Sequence, residues 1–319
     1  MKVLSREEFN YSINTIGGYV DQVGGELLAK ALIGATTPKY VNVRTGIKGT
    51  QALNLLNSTA YFQDGTCGWD PSGTTQFTQT YITTCPTKYN EALCYKDLFD
   101  TYQSMLMAPG QTQESVPFEQ QIADLKVKEI QQYIEKQLWQ ATTGTTCFAG
   151  FKTLISTGTT GVANSSGTTF NTSAYGTAGN PITEVDKLIN SLSDDAMSRD
   201  DLRVFMSFVN FRKYVQALTQ ANFFANYIGS ADITANMEAI HPNTNVKVVP
   251  TIGLNGSNQV VIGPAEYMVV GFDLLSDHEK LTIWYSKDFD ELRFRANFNY
   301  GVAIATFGST AYFATNNLA

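Results

Sequence analysis

The clearest periodicity in the chain lies near its end. Leu292, Phe294, Ala296, Phe298, Tyr300, Val302 and Ile304 alternate without a miss with Arg293, Arg295, Asn297, Asn299, Gly301, Ala303 and Ala305. Period two over that length predicts a single strand with one apolar face, about 40 Å long at ~3.3 Å per residue. A shorter alternation at Leu281, Ile283 and Tyr285 predicts a strand before it, and Ala311–Ala314 predicts a short one after it.

Helical periodicity is strongest over 117–140. Pro117 suits a first helical position, and Glu119 suits the positive N-terminal end. At 100° per residue there are two apolar arcs. Phe118, Ile122, Leu125, Tyr133 and Trp139 share one, while Val127, Ile130, Ile134 and Leu138 lie roughly opposite. Asp124, Lys128, Gln131 and Glu135 form a polar strip between them. Such a helix, about 36 Å long, is either central to a domain or held between a domain and a neighbour.

Residues 51–62 and 76–84 read as strands, the second rich in β-formers. Between them lies a tip of turn residues that includes Asp64, Gly65, Cys67, Gly68, Trp69, Asp70 and Pro71. Two arrangements fit: one long hairpin, or two adjacent strands of a larger sheet. As a hairpin it has little core of its own, since its second strand offers only Phe77, Tyr81 and Ile82 for burial. A two-stranded ribbon is marginal in water. It would need a surface to lie on, and another subunit could supply one.

The first 50 residues, broken by Gly17-Gly18 and Gly24-Gly25, read as an arm with one short helix over Glu26–Leu32. Residues 156–180 are almost all Ser, Thr, Gly, Ala and Asn and predict an exposed surface loop. Beyond them a compact α/β pattern begins. Helices are expected over Pro181–Leu192 and over Asn210–Leu218, the latter with Asn210 as N-cap. Strands are expected at Val246–Val249, Gln259–Ile262 and Met268–Val270.

Composition then narrows the classes. The 319 residues carry 22 Lys+Arg and 29 Asp+Glu, a net charge of −7, and only 16% are charged. An acidic chain without Lys/Arg blocks is a poor electrostatic partner for nucleic acid. Low surface charge is permissive for self-association, because copies repel one another little. Between Lys48 and Lys88 the only charged residues are Asp64 and Asp70. No run approaches the ~18 apolar residues of a membrane span, and the first residues, with Glu7 and Glu8, do not read as an export signal.

The four cysteines, at 67, 85, 94 and 147, are too few for a disulfide scaffold. Cys94 and Cys147 read as buried or inert thiols, and for Cys67 and Cys85 a bond between subunits stays open. Cys67 and Cys85 sit at opposite ends of the hairpin and should not bond to each other. The two histidines, His241 and His278, belong to no metal-ligand spacing, and no nucleophile elbow or phosphate loop is present. No catalytic residue, metal ligand or cofactor site is expected.

The order arm, hairpin, long helix, α/β region and long terminal strand resembles the major capsid proteins of tailed bacteriophages, including those of gut and environmental phages. The likeness rests on phrases as well as order. They are Ile47-Lys48-Gly49-Thr50-Gln51-Ala52-Leu53-Asn54 into the hairpin, Cys67-Gly68-Trp69 at its tip and Ala92-Leu93-Cys94-Tyr95-Lys96-Asp97-Leu98 at its exit. Pro117-Phe118-Glu119 opens the helix; Glu135-Lys136-Gln137-Leu138-Trp139 and Phe148-Ala149-Gly150-Phe151 close it. Asp290-Glu291-Leu292-Arg293-Phe294-Arg295 begins the long strand.

That resemblance implies an α+β, Hong Kong 97-like capsid fold. Residues 1–50 would be the N-terminal arm and 51–96 the extended hairpin loop that reaches over a neighbouring subunit. Residues 97–180 and 276–310 would form the peripheral domain, with 117–140 its spine helix. Residues 181–275 would form the axial domain, which the extreme C-terminus could join. The tip residues 64, 65 and 67–71 would make inter-subunit contacts. Implied partners are the chain itself in pentamers and hexamers, a separate scaffolding protein, a portal, and decoration or head-completion proteins. The shell, built in the host cytoplasm and located in the virion, would enclose DNA without specific binding and without a membrane. Two rivals remain at this point: an encapsulin-type compartment shell, and a β-rich binding or adhesin module.

Overall fold

The computed structural model describes residues 36–59, 61–62, 64–65, 67–68, 73–94, 118–143, 147–156, 161–164, 167–171, 173–221, 238–242, 244–273, 281–289, 291–305, 310–316 and 318. A 3-10 turn at Thr37–Lys39 leads into β1 (Asn42–Thr45), β2 (Thr50–Thr59), β3 (Thr74–Thr83) and β4 (Cys85–Cys94). Helix α1 (Phe118–Gln140), the short α2 (Phe151–Ile155) and β5 (Val162–Asn164) follow. Next come α3 (Pro181–Asn190), α4 (Asp194–Met197), β6 (Leu202–Met206) and α5 (Phe208–Gln220). The remaining strands are β7 (Ala239–Ile240), β8 (Lys247–Pro250), β9 (Val261–Pro264), β10 (Met268–Phe272), β11 (Leu281–Ser286), β12 (Glu291–Ile304) and β13 (Phe313–Thr315). The expected helix at Glu26–Leu32 lies outside the described residues.

The alternating segment forms β12, the axis of a five-stranded sheet. Strand β4 runs antiparallel along one edge of it, from Glu291↔Cys94 to Tyr300↔Cys85. Along its other edge lie β11 and then β10, end to end, with β1 parallel to β10 beyond. Phe294, Ala296, Phe298, Tyr300 and Val302 are buried as the alternation requires. Helix α1 covers that face: its Val127, Ile130, Ile134 and Leu138 are buried, and Lys126 pairs at 2.7 Å with Glu91, the β4 partner of Phe294. On the opposite arc Leu125 and Tyr133 stay exposed while Trp139 is fully buried. Ile122 and Phe118, on that same arc, fall where side chains are not described.

A six-stranded sheet has the order β5-β13-β9-β6-β8-β7. The sequence places Met268–Phe272 with 181–275, yet this strand pairs with β12, so the change of sheet falls between Pro264 and Met268. An all-apolar run carries no mark of which sheet it completes. The segment 156–180 is also more than a surface loop. Strand β5 pairs with β13, Phe170 is buried, and buried Glu184 accepts hydrogen bonds from the Gly179 and Thr168 amides. Hydrogen bonding, rather than apolar content, integrates these residues. The N-cap of α5 is Ser207, whose hydroxyl accepts from the amide of Asn210; Asn210 therefore sits three residues inside the helix.

Candidate assembly interface

Among the described residues strands β2 and β3 pair only with each other, from Thr50↔Thr83 to Thr59↔Thr74. Of the two arrangements open in the sequence, the hairpin is the observed one. At ~3.3 Å per residue its ten-residue strands carry the tip about 33 Å from the base. Register sorts the side chains by face. Ile82 and Leu53, on one face near the base, are buried. On the other face Leu56 and Phe77 are cross-strand partners at 58% and 80% exposure, with Tyr81 at 60%. Polar pairs flank them: Gln79 Nε2 donates to Asn54 Oδ1 at 3.0 Å, and Ser58 and Thr75 hydroxyls meet at 3.2 Å. The ribbon is thus specified internally by cross-strand pairs while offering an apolar strip to solvent.

At the tip, Asp64, Gly65, Cys67 and Gly68 are all exposed, and the Gly65 amide donates to Asp64 Oδ1 at 2.9 Å. Trp69, Asp70 and Pro71 lie outside the described residues. Tyr61 and Phe62 beside the tip are exposed as well.

The base, by contrast, is fixed in the sheet. Gly271 and Gly301 are partners on β10 and β12, and together they make a notch in the face opposite α1. A Cβ at Gly301 would collide with the carbonyl of Thr83, and one at Gly271 would lie 2.9 Å from the side chains of Ile47 and Ile82. Thr84 closes the crossing, its amide and hydroxyl donating to the carbonyl of Gly49 and its hydroxyl also to that of Ile47. Ala303 and Ala305 continue the small-residue side of β12 beneath it. Sequence alone assigns these small residues only to the second face of a strand.

Cys85, the first residue of β4, is disulfide-bonded to Cys147, with Cα atoms 6.1 Å apart. This corrects the expectation that Cys147 is an inert thiol, and the bond ties the hairpin base to the chain just after α1. For a separation of 62 residues, loop closure stabilises the fold by about 4 kcal/mol in the chain-entropy model. Cys67 is a free, exposed thiol at the tip.

A buried carboxylate holds the strap that precedes β1. Glu135, within the strip read as polar and solvated, is buried and accepts from the Thr37 amide at 3.1 and 3.2 Å and from the Thr37 hydroxyl. That hydroxyl in turn accepts from Trp139 Nε1 at 2.7 Å. Burial raises the Glu135 pKa, opposed by hydrogen bonds from the Thr37 hydroxyl and from backbone amides. The folded chain therefore keeps this proton to a higher pH than the unfolded chain does. Its contribution is complete below the ordinary carboxylate range and is lost as pH rises through the raised value. Relative to a Glu135→Gln variant, the wild type is expected to lose stability as pH rises from about 4 to 8. Denaturant midpoints of the two proteins across that range check this, and parallel curves would refute it.

His241 is buried with Nδ1 2.8 Å from Tyr214 Oη and Nε2 2.7 Å from Asp186 Oδ1, so both ring nitrogens have partners. Cys147 is oxidised, and His278 lies outside the described residues. Among the described residues no His/Cys/Asp/Glu group could hold a metal ion, and no helix is long and apolar enough to cross a membrane.

No known family profile matches the chain, and no curated protein does. Solved structures do. The chain is similar to the capsid of an empty GTA particle, with 11% identity, 88% of each chain covered and a TM-score of 0.57. It is similar to a satellite phage P4 procapsid that includes the size determination (Sid) protein, with 11% identity, 98% and 97% coverage and a TM-score of 0.57. Microbacterium phage Oxtober96 gives 11% identity, 88% and 90% coverage and a TM-score of 0.52. The coreless ribbon, the long helix over a β12-centred sheet and the second mixed sheet are together the α+β, Hong Kong 97-like fold of phage capsid proteins.

Proposed function

We propose that the chain is the structural subunit of an icosahedral phage shell, assembling with itself through pentamers and hexamers around the genome. The observation that carries this reading is the ribbon β2–β3. It is anchored at its base by the glycine notch and by Cys85–Cys147, yet it exposes Leu56, Phe77 and Tyr81 along one face. An apolar strip of this kind on a monomer marks a partner surface, and in this fold a neighbouring copy supplies it. The exposed Leu125 and Tyr133 of α1 offer a second such surface.

In this reading the five-stranded sheet with α1 is the peripheral domain and the six-stranded sheet is the axial domain, which packs around the symmetry axes. Residues 1–50 are the arm, which joins the peripheral sheet through β1. The tip residues Asp64, Gly65, Cys67, Gly68, Trp69, Asp70 and Pro71 make inter-subunit contacts. Scaffolding, portal and decoration or head-completion proteins complete the particle in the host cytoplasm. The DNA inside is held without specific recognition. The phage and GTA capsids among the structural matches favour this over a cargo compartment or an adhesin.

Co-expression with the head-assembly genes of the same genome, followed by size-exclusion chromatography and negative-stain imaging, tests the reading. Closed icosahedral shells are expected. A protein that stays monomeric beside its scaffold would overturn it.

A further inference from the structure

The two bonded cysteines differ in access. Cys85, at the start of β4, is 3% exposed, whereas Cys147, in the link after α1, is exposed. The fold brings them together without help from the bond. Cys85 is the register partner of Tyr300 on β12, and Phe148, next to Cys147, packs edge-on against the Tyr300 ring at 5.0 Å. The link is also pinned at both ends. The Gly150 amide donates to the Ala141 carbonyl at 3.0 Å, and a Cβ at Gly150 would collide with the backbone of Trp139. Thr84 and the glycine notch hold the hairpin base separately. A chain with both thiols reduced therefore keeps the same neighbours, with Cys147 accessible and Cys85 enclosed.

We propose that the pair is a redox switch in which Cys147 is the entry thiol and Cys85 the resolving thiol, with a low-molecular-weight disulfide such as oxidised glutathione as co-reactant. The Cys147 thiolate attacks one sulfur of that disulfide; a mixed disulfide forms at Cys147 and one glutathione thiolate leaves. The Cys85 thiolate then attacks the Cys147 sulfur, closes the internal bond and expels the second glutathione. Two protein thiols are oxidised and one glutathione disulfide is reduced to two thiols, which take up the two protons the cysteines lose. Access fixes the order, because a tripeptide disulfide reaches an exposed sulfur and not an enclosed one. The timing rests on the shell reading above. A subunit made in the host cytoplasm meets a reducing thiol pool and stays a dithiol, and the released particle meets an oxidising medium and closes the bond. Because the reduced pair is already in place, closure adds a cross-link without rearranging the fold.

The test maps the cysteines of the full chain, made with its head-assembly proteins in a reducing cytoplasm, by acid quenching, maleimide alkylation and peptide mass spectrometry. In quenched cells Cys85 and Cys147 should be at least about tenfold more thiol than disulfide, and treatment of the purified protein with oxidised glutathione should invert that ratio. Cys67, free and exposed at the ribbon tip, is the reference for an accessible thiol. Under oxidised glutathione Cys85→Ser should accumulate the mixed disulfide at Cys147. Cys147→Ser should leave Cys85 unmodified, reacting at least about tenfold more slowly than Cys67. Oxidation should raise the wild-type thermal midpoint by about 5 °C or more and leave that of the Cys85→Ser/Cys147→Ser variant unchanged. A bond already closed in quenched cells would overturn the switch. So would Cys85 reacting as fast as Cys67, or Cys85→Ser taking up no glutathione at Cys147. These readouts need no particle, so a wild type that forms no shells would remove the shell reading and leave the thiol chemistry to be judged by itself.

Discussion

A protein lacking residues 64–74 is expected to fold as the intact subunit does and to form no closed shells. The ribbon's buried side chains, Leu53 and Ile82, lie near its base, and the notch at Gly271 and Gly301 grips Thr83 and Thr84 there. Nothing described between Asp64 and Thr74 is buried. A change at an exposed residue away from the core usually moves stability by about 0.5 kcal/mol or less. The reach of the ribbon falls, however, and with it the contact between copies. Thermal melts and negative-stain images of the same preparation decide the matter. Unfolding of the truncated subunit would make the tip part of the core, and closed shells would remove it from assembly.

Trp139→Ala should be the most damaging single substitution in the subunit, costing about 3–5 kcal/mol. The indole is fully buried at the end of α1, 5.5 Å from the ring of Phe151 and 5.3 Å from that of Phe205. Phe205 belongs to β6 in the six-stranded sheet, whereas α1 covers the five-stranded one. Gly253 abuts the indole so closely that any side chain there would collide with it. Nε1 donates to Thr37, which is itself bonded to Glu135. Truncation therefore opens a cavity between two sheets and also leaves the Thr37 hydroxyl short of a donor. Trp139→Phe keeps most of the packing and should lose about 1–2 kcal/mol. Chemical denaturation of the three proteins would rank them; an Ala variant within about 1 kcal/mol of wild type would show that the sheets are joined elsewhere.

Much of this architecture is written locally. β12 is legible because seven apolar residues alternate over its whole length. The ribbon is legible because its strands are rich in β-formers and it bears charge only at its tip. The two arcs of α1 are legible too, although periodicity cannot say that Trp139 would turn inward while Tyr133 stays in water. What is not legible depends on distant partners. Cys85 and Cys147 meet through the tertiary fold, across 62 residues of chain. Glu135 reads as solvated because its partner, Thr37, lies 98 residues away. Strand β10 is apolar throughout, so its side chains fit either sheet.

The bond between Cys85 and Cys147 also has a topological consequence. It closes a covalent ring that contains β4, the connection to the long helix and the whole of that helix. A peptide bond hydrolysed anywhere inside the ring leaves the two products joined through sulfur. A protease cut in that stretch thus becomes a nick in a continuous molecule, not a severed chain.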